Sequence, residues 1–417
     1  MKQKDLITIV SFIVWFSIIT NVFAEAPKEK AFNEGLEYYH KQMYDESIRE
    51  YSKAIEIDPE YAAAYGNRGI AYAAKGNLEQ AISDFSKAIE ISPDDAKAYY
   101  NRGKAYAAKG DFEQAISDFS KAIEISPDFA DACYNRGNAY AAKGDLEQAI
   151  SDYSRAIEIN PDDAFAYYNR GSIYSDKGNL ELAISDYSRA IEINPDDADA
   201  YYNRGKTYAA KDDFTQAISD FSKAIEINPD DADSYYNRGK AYAAKGNLEL
   251  AISDFSKAIE ISPDFADAYY NRGKTYAAKD DFTQAISDFS RAIELNPALA
   301  EASFNRGIAY ATKGNLTQAI SDYSKAIELN PEYVKAYFNR GIIYLNQNNY
   351  DQAISDFSKI METNPKYADA YHNRAVAYFL NKEYDKSWAD VNKAMDLGIK
   401  IDPQFIEALK KASGREK

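Results

Sequence analysis

Asparagine recurs every 34 residues along this chain, at Asn33, Asn67, Asn101, Asn135, Asn169, Asn203, Asn237, Asn271, Asn305, Asn339 and Asn373. A carboxamide carries both a donor and an acceptor, so a row of them can pair with the N–H and C=O groups of an extended peptide whatever its side chains. Each hydrogen bond contributes only about 1 kcal/mol net, so several must act together. Duplication of near-identical segments, such as 198–231 and 266–299, would repeat an asparagine without any ligand. The segments at the two ends have drifted at other positions yet keep Asn33 and Asn373, which weighs toward function.

Beside the asparagines runs an aromatic row, Phe32, Tyr100, Tyr134, Tyr168, Tyr202, Tyr236, Tyr270, Phe304 and Phe338, interrupted at Gly66 and His372. Exposed rings are good contact surface for a peptide or a glycan; packing against the next helix is the other use of such a row. One helical turn further on, Lys206, Lys240 and Lys274 form a basic strip that suits a carboxylate, unless Asp199, Asp233 and Asp267 neutralise it. Arg68 and its equivalents as far as Arg374 each have an aspartate sixteen residues later, Asp84 through Asp390, and this spacing predicts an ion pair between two helices. In the first copy Glu34 and Glu50 stand at those places, so the rule fails there.

Other chemistry finds little material. Two histidines, His40 and His372, and one cysteine, Cys133, are too few for a His/Cys zinc cage or an internal disulfide. Cys133 has no basic activator nearby in sequence and reads as a packed core residue. No Gly-rich phosphate loop or nucleophile elbow occurs, no small-molecule cofactor is implied, and no enzyme is expected.

The elements that must position these residues follow from the punctuation. Prolines at Pro59, Pro93, Pro127, Pro161, Pro195, Pro229, Pro263, Pro297, Pro331 and Pro365 keep the same 34-residue step and define eleven units between Lys28 and Ile401. In the unit Ala62 to Asp95, Tyr65, Gly69 and Tyr72 lie at helical spacing and predict a first helix, A. Gly76 permits the left-handed turn that ends it, and Asn77 with Gln80, like Asp111 with Gln114, has the form of a capping box for the next. Helix B then runs through Ala81, Phe85, Ala88 and Ile91 on one face until Pro93 forbids its continuation. Neither helix buries its face alone, so the pairs must stack, and the last needs a cap. Pro403 to Ser413, with Phe405, Ile406 and Leu409 on one side, suits that role within a C-terminal segment of residues 402–417.

Tyr65, Gly69, Tyr72, Ala81, Phe85, Ala88 and Pro93 together resemble the tetratricopeptide repeat, and the likeness extends from Lys28 to Ile401. Departures are confined to the ends, at Ser47, Ser387, Val391 and Ile399. The resemblance implies an all-α, right-handed superhelical solenoid of antiparallel helix pairs with helix A on its concave side, and a partner that is protein or peptide. The asparagine row is similar to the ladder in the superhelix of the O-linked N-acetylglucosamine transferases, although nothing here resembles their catalytic part.

Net charge is -17, and lysine and arginine never gather into a block, which argues against nucleic acid as a partner. Lys2 and Lys4 precede an apolar run from Leu6 to Thr20, with Val22 and Ala24 at the small-residue places of a cleavage site. Residues 1–24 therefore read as an export signal cleaved after Ala24, or as an uncleaved anchor whose apolar stretch 6–23 tethers the chain to a membrane. The expected protein is an exported scaffold, periplasmic or extracellular, that binds extended segments in a groove. Carbohydrate binding and a passive spacer are the alternatives.

Overall fold

A computed structural model describes residues 26–415, so the export segment lies outside the described residues. Among those residues twenty-three α-helices follow one another with no strand between them. The chain divides after Asp196 into two compact units, the first carrying repeats 1 to 5 and the second repeats 6 to 11 and a final helix. Each unit is an array of paired helices, as the repeat pattern predicts.

Repeat 2 shows why the sequence folds this way. Helix A spans Ala62–Ala74 and helix B spans Leu78–Ile91. Gly76 sits at φ +80°, and the N–H groups of Gly76 and Asn77 reach back to the carbonyls of Ala73 and Tyr72, both at 2.9 Å. These are the two bonds that close a helix through a left-handed residue. Asp212, Asp280 and Asn348 hold the same left-handed position in repeats 6, 8 and 10, where a short polar side chain tolerates it. Helix B stops at Ser92, which is drawn out to φ -128° because a residue before proline is pushed away from helix.

The capping boxes expected at Asn77 and Asp111 do not form, for neither side chain accepts a backbone hydrogen bond. In repeat 2 the turn is served by Glu79, whose carboxyl lies below its usual range because it accepts its own backbone N–H and then because of Lys109. Repeats 6 and 8 have Thr215 and Thr283 at that place, and there Asp213 and Asp281 do cap, accepting from Gln216 and Gln284 at 3.2 and 3.1 Å.

Within a repeat the two helices approach through glycine. A Cβ on Gly69 would lie 2.8 Å from the Phe85 ring, and Gly103, Gly137 and Gly239 face Phe119, Tyr153 and Phe255 in the same way. The ring of helix B occupies the volume a side chain would need. Repeat 11 carries the compensated version, with Ala375 opposite Val391 and both fully buried. The drifted Ser47 and Ser387 are also satisfied, each donating at 2.8 Å to a carbonyl of the facing helix A, Gly35 and Ala375.

Between repeats the decisive group is arginine. Arg68 donates from Nε and Nη2 to the two carboxylate oxygens of Asp84 at 2.7 and 2.8 Å, the predicted pair. Its remaining nitrogen, Nη1, donates at 2.9 Å to Ser52 on helix B of the preceding repeat. That serine hydroxyl in turn donates to the carbonyl of Ile48 at 2.7 Å, so its orientation is fixed before the arginine arrives. The bidentate pair recurs from repeat 2 to repeat 11. The serine contact recurs at Arg102, Arg136, Arg170, Arg238, Arg272, Arg306, Arg340 and Arg374. Hydrogen bonding to Asp84 raises the Arg68 pKa further above its ordinary value, against the effect of burial. At Asp356 the balance tips the other way, and burial pushes the carboxyl up despite Arg340, as expected when desolvation offsets much of an ion pair's attraction. In repeat 1 the buried Glu50 is matched from its own helix by Lys53 at 2.7 Å.

The last helix, Pro403–Ser413, buries Leu409 against Ala375 and Val391, with Phe405 and Ile406 alongside. Trp388 Nε1 donates to Ser413 at 3.0 Å and ties the helix to repeat 11.

Replacing Arg238 by Met leaves Asp254 buried without its cation and should cost about 3 kcal/mol, the lower end for such pairs because 18% of the arginine side chain is exposed. Adding Asp254→Leu should recover most of that loss. Urea denaturation with hydrogen exchange on repeats 6 to 8 reads both, and an Arg238→Met chain as stable as the native one would refute the role given to this group.

Candidate functional site

The asparagines sit in the middle of helix A, half-buried in most repeats and exposed at Asn33. The structure spends their donors internally. Asn67, Asn135, Asn203, Asn237, Asn271 and Asn373 donate from Nδ2 to the carbonyl one turn earlier on their own helix, at 2.8 to 3.0 Å. Asn135, Asn169, Asn237, Asn271 and Asn305 also donate to the hydroxyl of the aromatic row in the preceding repeat, Tyr100, Tyr134, Tyr202, Tyr236 and Tyr270, at 3.0 to 3.2 Å. Asn339, which follows Phe304, instead bonds the Tyr323 hydroxyl. Asn101 follows Gly66, which has no hydroxyl to offer.

The expectation that these carboxamides present both donor and acceptor to a ligand is therefore corrected. At Asn135, Asn237 and Asn271 both N–H groups are committed, and the atom left to offer is the Oδ1 carbonyl. A backbone carbonyl can only accept, so it fixes which end of the amide is which.

The tyrosines are walls rather than platforms. Tyr100, Tyr202, Tyr236 and Tyr270 pack against Phe119, Phe221, Phe255 and Phe289 of helix B with ring centroids 5.9 to 6.0 Å apart. Tyr134 and Tyr168 do the same against Tyr153 and Tyr187. Burial pushes the phenols of Tyr100, Tyr202 and Tyr236 up to about 12.

Lys206, Lys240 and Lys274 are exposed on the same face. Asp199, Asp233 and Asp267 make no direct ion pair with them: none of these lysines has a carboxylate within 4 Å among the described residues. Their ammonium groups lie over the rings of Tyr202, Tyr236 and Tyr270 at 5.4, 5.2 and 5.4 Å, where the aromatic face attracts them without cancelling the charge.

Between adjacent helices A these residues frame two hollows in the second unit, one repeat apart. The first, about 400 Å³, has Phe221 at its floor, Ala209 and Ala210 on one wall, Ala244 opposite, and Lys206, Asn237 and Lys240 at the rim. The second, about 350 Å³, repeats this with Phe255, Ala243, Ala244, Ala278, Lys240, Asn271 and Lys274. Sequence reasoning missed the hollows, although the paired alanines at the end of helix A are their signal: small side chains there leave space above the buried helix B ring. Cys133 lies fully buried, its thiol pushed up by burial. Among the described residues no group of three or more His, Cys, Asp or Glu side chains could hold a metal ion.

Models of the tetratricopeptide repeat match residues 266–299, 334–367 and 357–389, and a model described as TPR repeat matches 35–76, 71–110, 103–144, 137–178, 171–212, 205–246, 239–280 and 309–348. The chain belongs to the tetratricopeptide repeat family. Among curated proteins none matches it. Of solved TPR structures, the C-terminal part of a repeat protein from Cytophaga hutchinsonii is 22% identical, with a TM-score of 0.50 over 56% of this chain and 96% of that one. YrrB, described as a TPR protein with an unusual peptide-binding site, is 30% identical at a TM-score of 0.40 over 44% of this chain and 95% of its own. Yeast Tom70 is 18% identical at a TM-score of 0.37, over 93% and 95% of the two chains.

The tyrosine to asparagine bond is a clasp between TPR units, and its removal is measurable. Tyr236→Phe keeps the ring, as Phe304 and Phe338 do naturally, but deprives Asn271 of one acceptor. It should lower the local stability of repeats 7 and 8 by about 1 kcal/mol. Site-resolved hydrogen exchange checks this, and protection unchanged across both repeats would deny the clasp any weight.

Proposed function

We propose that this TPR chain is a non-catalytic scaffold that holds extended polypeptide segments against the exposed face of helix A. Its family membership supports a protein-binding role. The observation that carries the finer reading is the recurrence of the hollows one repeat apart, each with an apolar floor and a polar rim. An extended strand advances steadily along such a row, and every second side chain points to the same face. The Oδ1 atoms of the asparagines then accept backbone N–H groups of the strand. A glycan would need free ring faces, and those of Tyr202, Tyr236 and Tyr270 have a lysine ammonium over them.

Ala244 is exposed and borders both hollows, so a large side chain there blocks the face without entering the core. Twelve-residue peptides selected on the native chain from a random display library should bind Ala244→Trp at least about tenfold more weakly, a loss of about 1.4 kcal/mol, with thermal unfolding unchanged. Equal affinity for the blocked chain would move the binding face elsewhere.

The same reading locates the repeats outside the cytoplasm, on the strength of the pattern in residues 1–24 alone. No helix among the described residues is long and apolar enough to cross a membrane. Intact-mass measurement of the chain expressed in its own cell should give a first residue of Glu25 and recovery from the exported fraction. A full-length chain in the cytoplasmic fraction would sink this part of the proposal.

A further inference from the structure

The rim of the hollows in repeats 6 to 8 is cationic in a chain whose formal charge is -17. Several lysines elsewhere find carboxylates within the fold: Lys109 meets Glu79 at 3.1 Å, Lys257 meets Glu260 at 2.9 Å and Lys279 meets Glu249 at 2.7 Å. Lys206, Lys240 and Lys274 have no such partner among the described residues, and each borders a hollow, with Lys240 shared by both. The position is also differentiated along the array. It is Leu36 and Ile70 in repeats 1 and 2, Lys104 in repeat 3, where the ammonium lies over the Tyr100 ring at 5.5 Å, Asn138 and Ser172 in repeats 4 and 5, and Ile308, Ile342 and Val376 in repeats 9 to 11. Three adjacent repeats thus carry three cations in phase, flanked by repeats that carry none.

We infer that repeats 6 to 8 select an acidic segment in which apolar and acidic side chains alternate at every second residue; this rests on the polypeptide-binding reading above. Three complementarities define the partner. Phe214 in one hollow and Leu248 in the other, both half-buried, take an apolar side chain together with the alanine walls. The lysine ammonium groups take carboxylates from the side chains two residues away, which an extended strand places on the same face. The Asn237 and Asn271 amides, their N–H groups already committed, accept from the strand's backbone and so favour a ligand N–H over a ligand carbonyl. A basic segment meets unpaired like charge on the same rim and is rejected, which is where discrimination arises.

The test uses the full chain and three fluorescein-labelled twelve-residue peptides. The first repeats Leu-Ser-Glu-Ser three times, and the others carry Gln or Lys in place of Glu. Fluorescence anisotropy should show the Glu peptide binding about tenfold more tightly than the Gln peptide, the sum expected of three exposed ion pairs, with the advantage shrinking as salt rises. The triple variant K206Q/K240Q/K274Q should erase the difference. Lys257→Gln, which removes a paired lysine on helix B, should preserve it. Equal binding of the Glu and Gln peptides, or a preference that survives in the triple variant, overturns the acidic assignment while leaving the polypeptide reading intact. Failure of all three peptides to bind overturns it as well, and the polypeptide reading is then decided by the display selection and the Ala244→Trp chain.

Discussion

In nine of the repeats a single guanidinium holds three helices in register. It grips the aspartate of its own helix B with two nitrogens and the serine of the previous helix B with a third, so intra-repeat and inter-repeat geometry are set by a single rigid plane. Arginine suits this because its donors lie in a fixed fork, whereas a lysine would offer one movable point charge. Apolar packing supplies most of the stability of a stacked array, but packing among alanines is permissive about sliding. A directional contact is not. The stacking phase, and with it the position of every residue on the exposed face of helix A, follows from where that plane is anchored.

Most of the fold was legible in the sequence. Proline and glycine marked where each helix stops, and sixteen-residue spacing announced the arginine and aspartate pair, because both signals are local or nearly so. The serine was not legible. Ser52 looks like an ordinary helix-surface residue, and its partnership with Arg68 spans a repeat boundary that only stacking reveals. The helix B cap at Asn77 failed for a related reason: Glu79 supplies a competing local acceptor that the cap pattern does not count.

The candidate site was legible as a set of positions and misleading as chemistry. The asparagine row does face outward, yet its N–H groups are absorbed by the i-4 carbonyl and by the tyrosine of the preceding repeat. The two rows that looked like separate recognition features are one structural feature, tyrosine holding asparagine across a repeat boundary. What the pattern could not express was shape. The hollows exist because paired alanines leave space above a buried phenylalanine, and an absence of side-chain volume leaves a faint trace in sequence.

The three-helix contact also has two matched ends. Repeat 1 has Glu34 where an arginine would need an upstream serine, yet it supplies Ser52 to its successor. Repeat 11 supplies Arg374 but carries Asn392 at the serine place, where no successor follows. Any interior unit, by contrast, brings its own arginine, aspartate and serine. Recombination between neighbouring near-identical gene segments can therefore lengthen or shorten the interior without stranding a buried charge, because each arginine and its aspartate travel in the same unit. The architecture leaves copy number open to evolutionary drift.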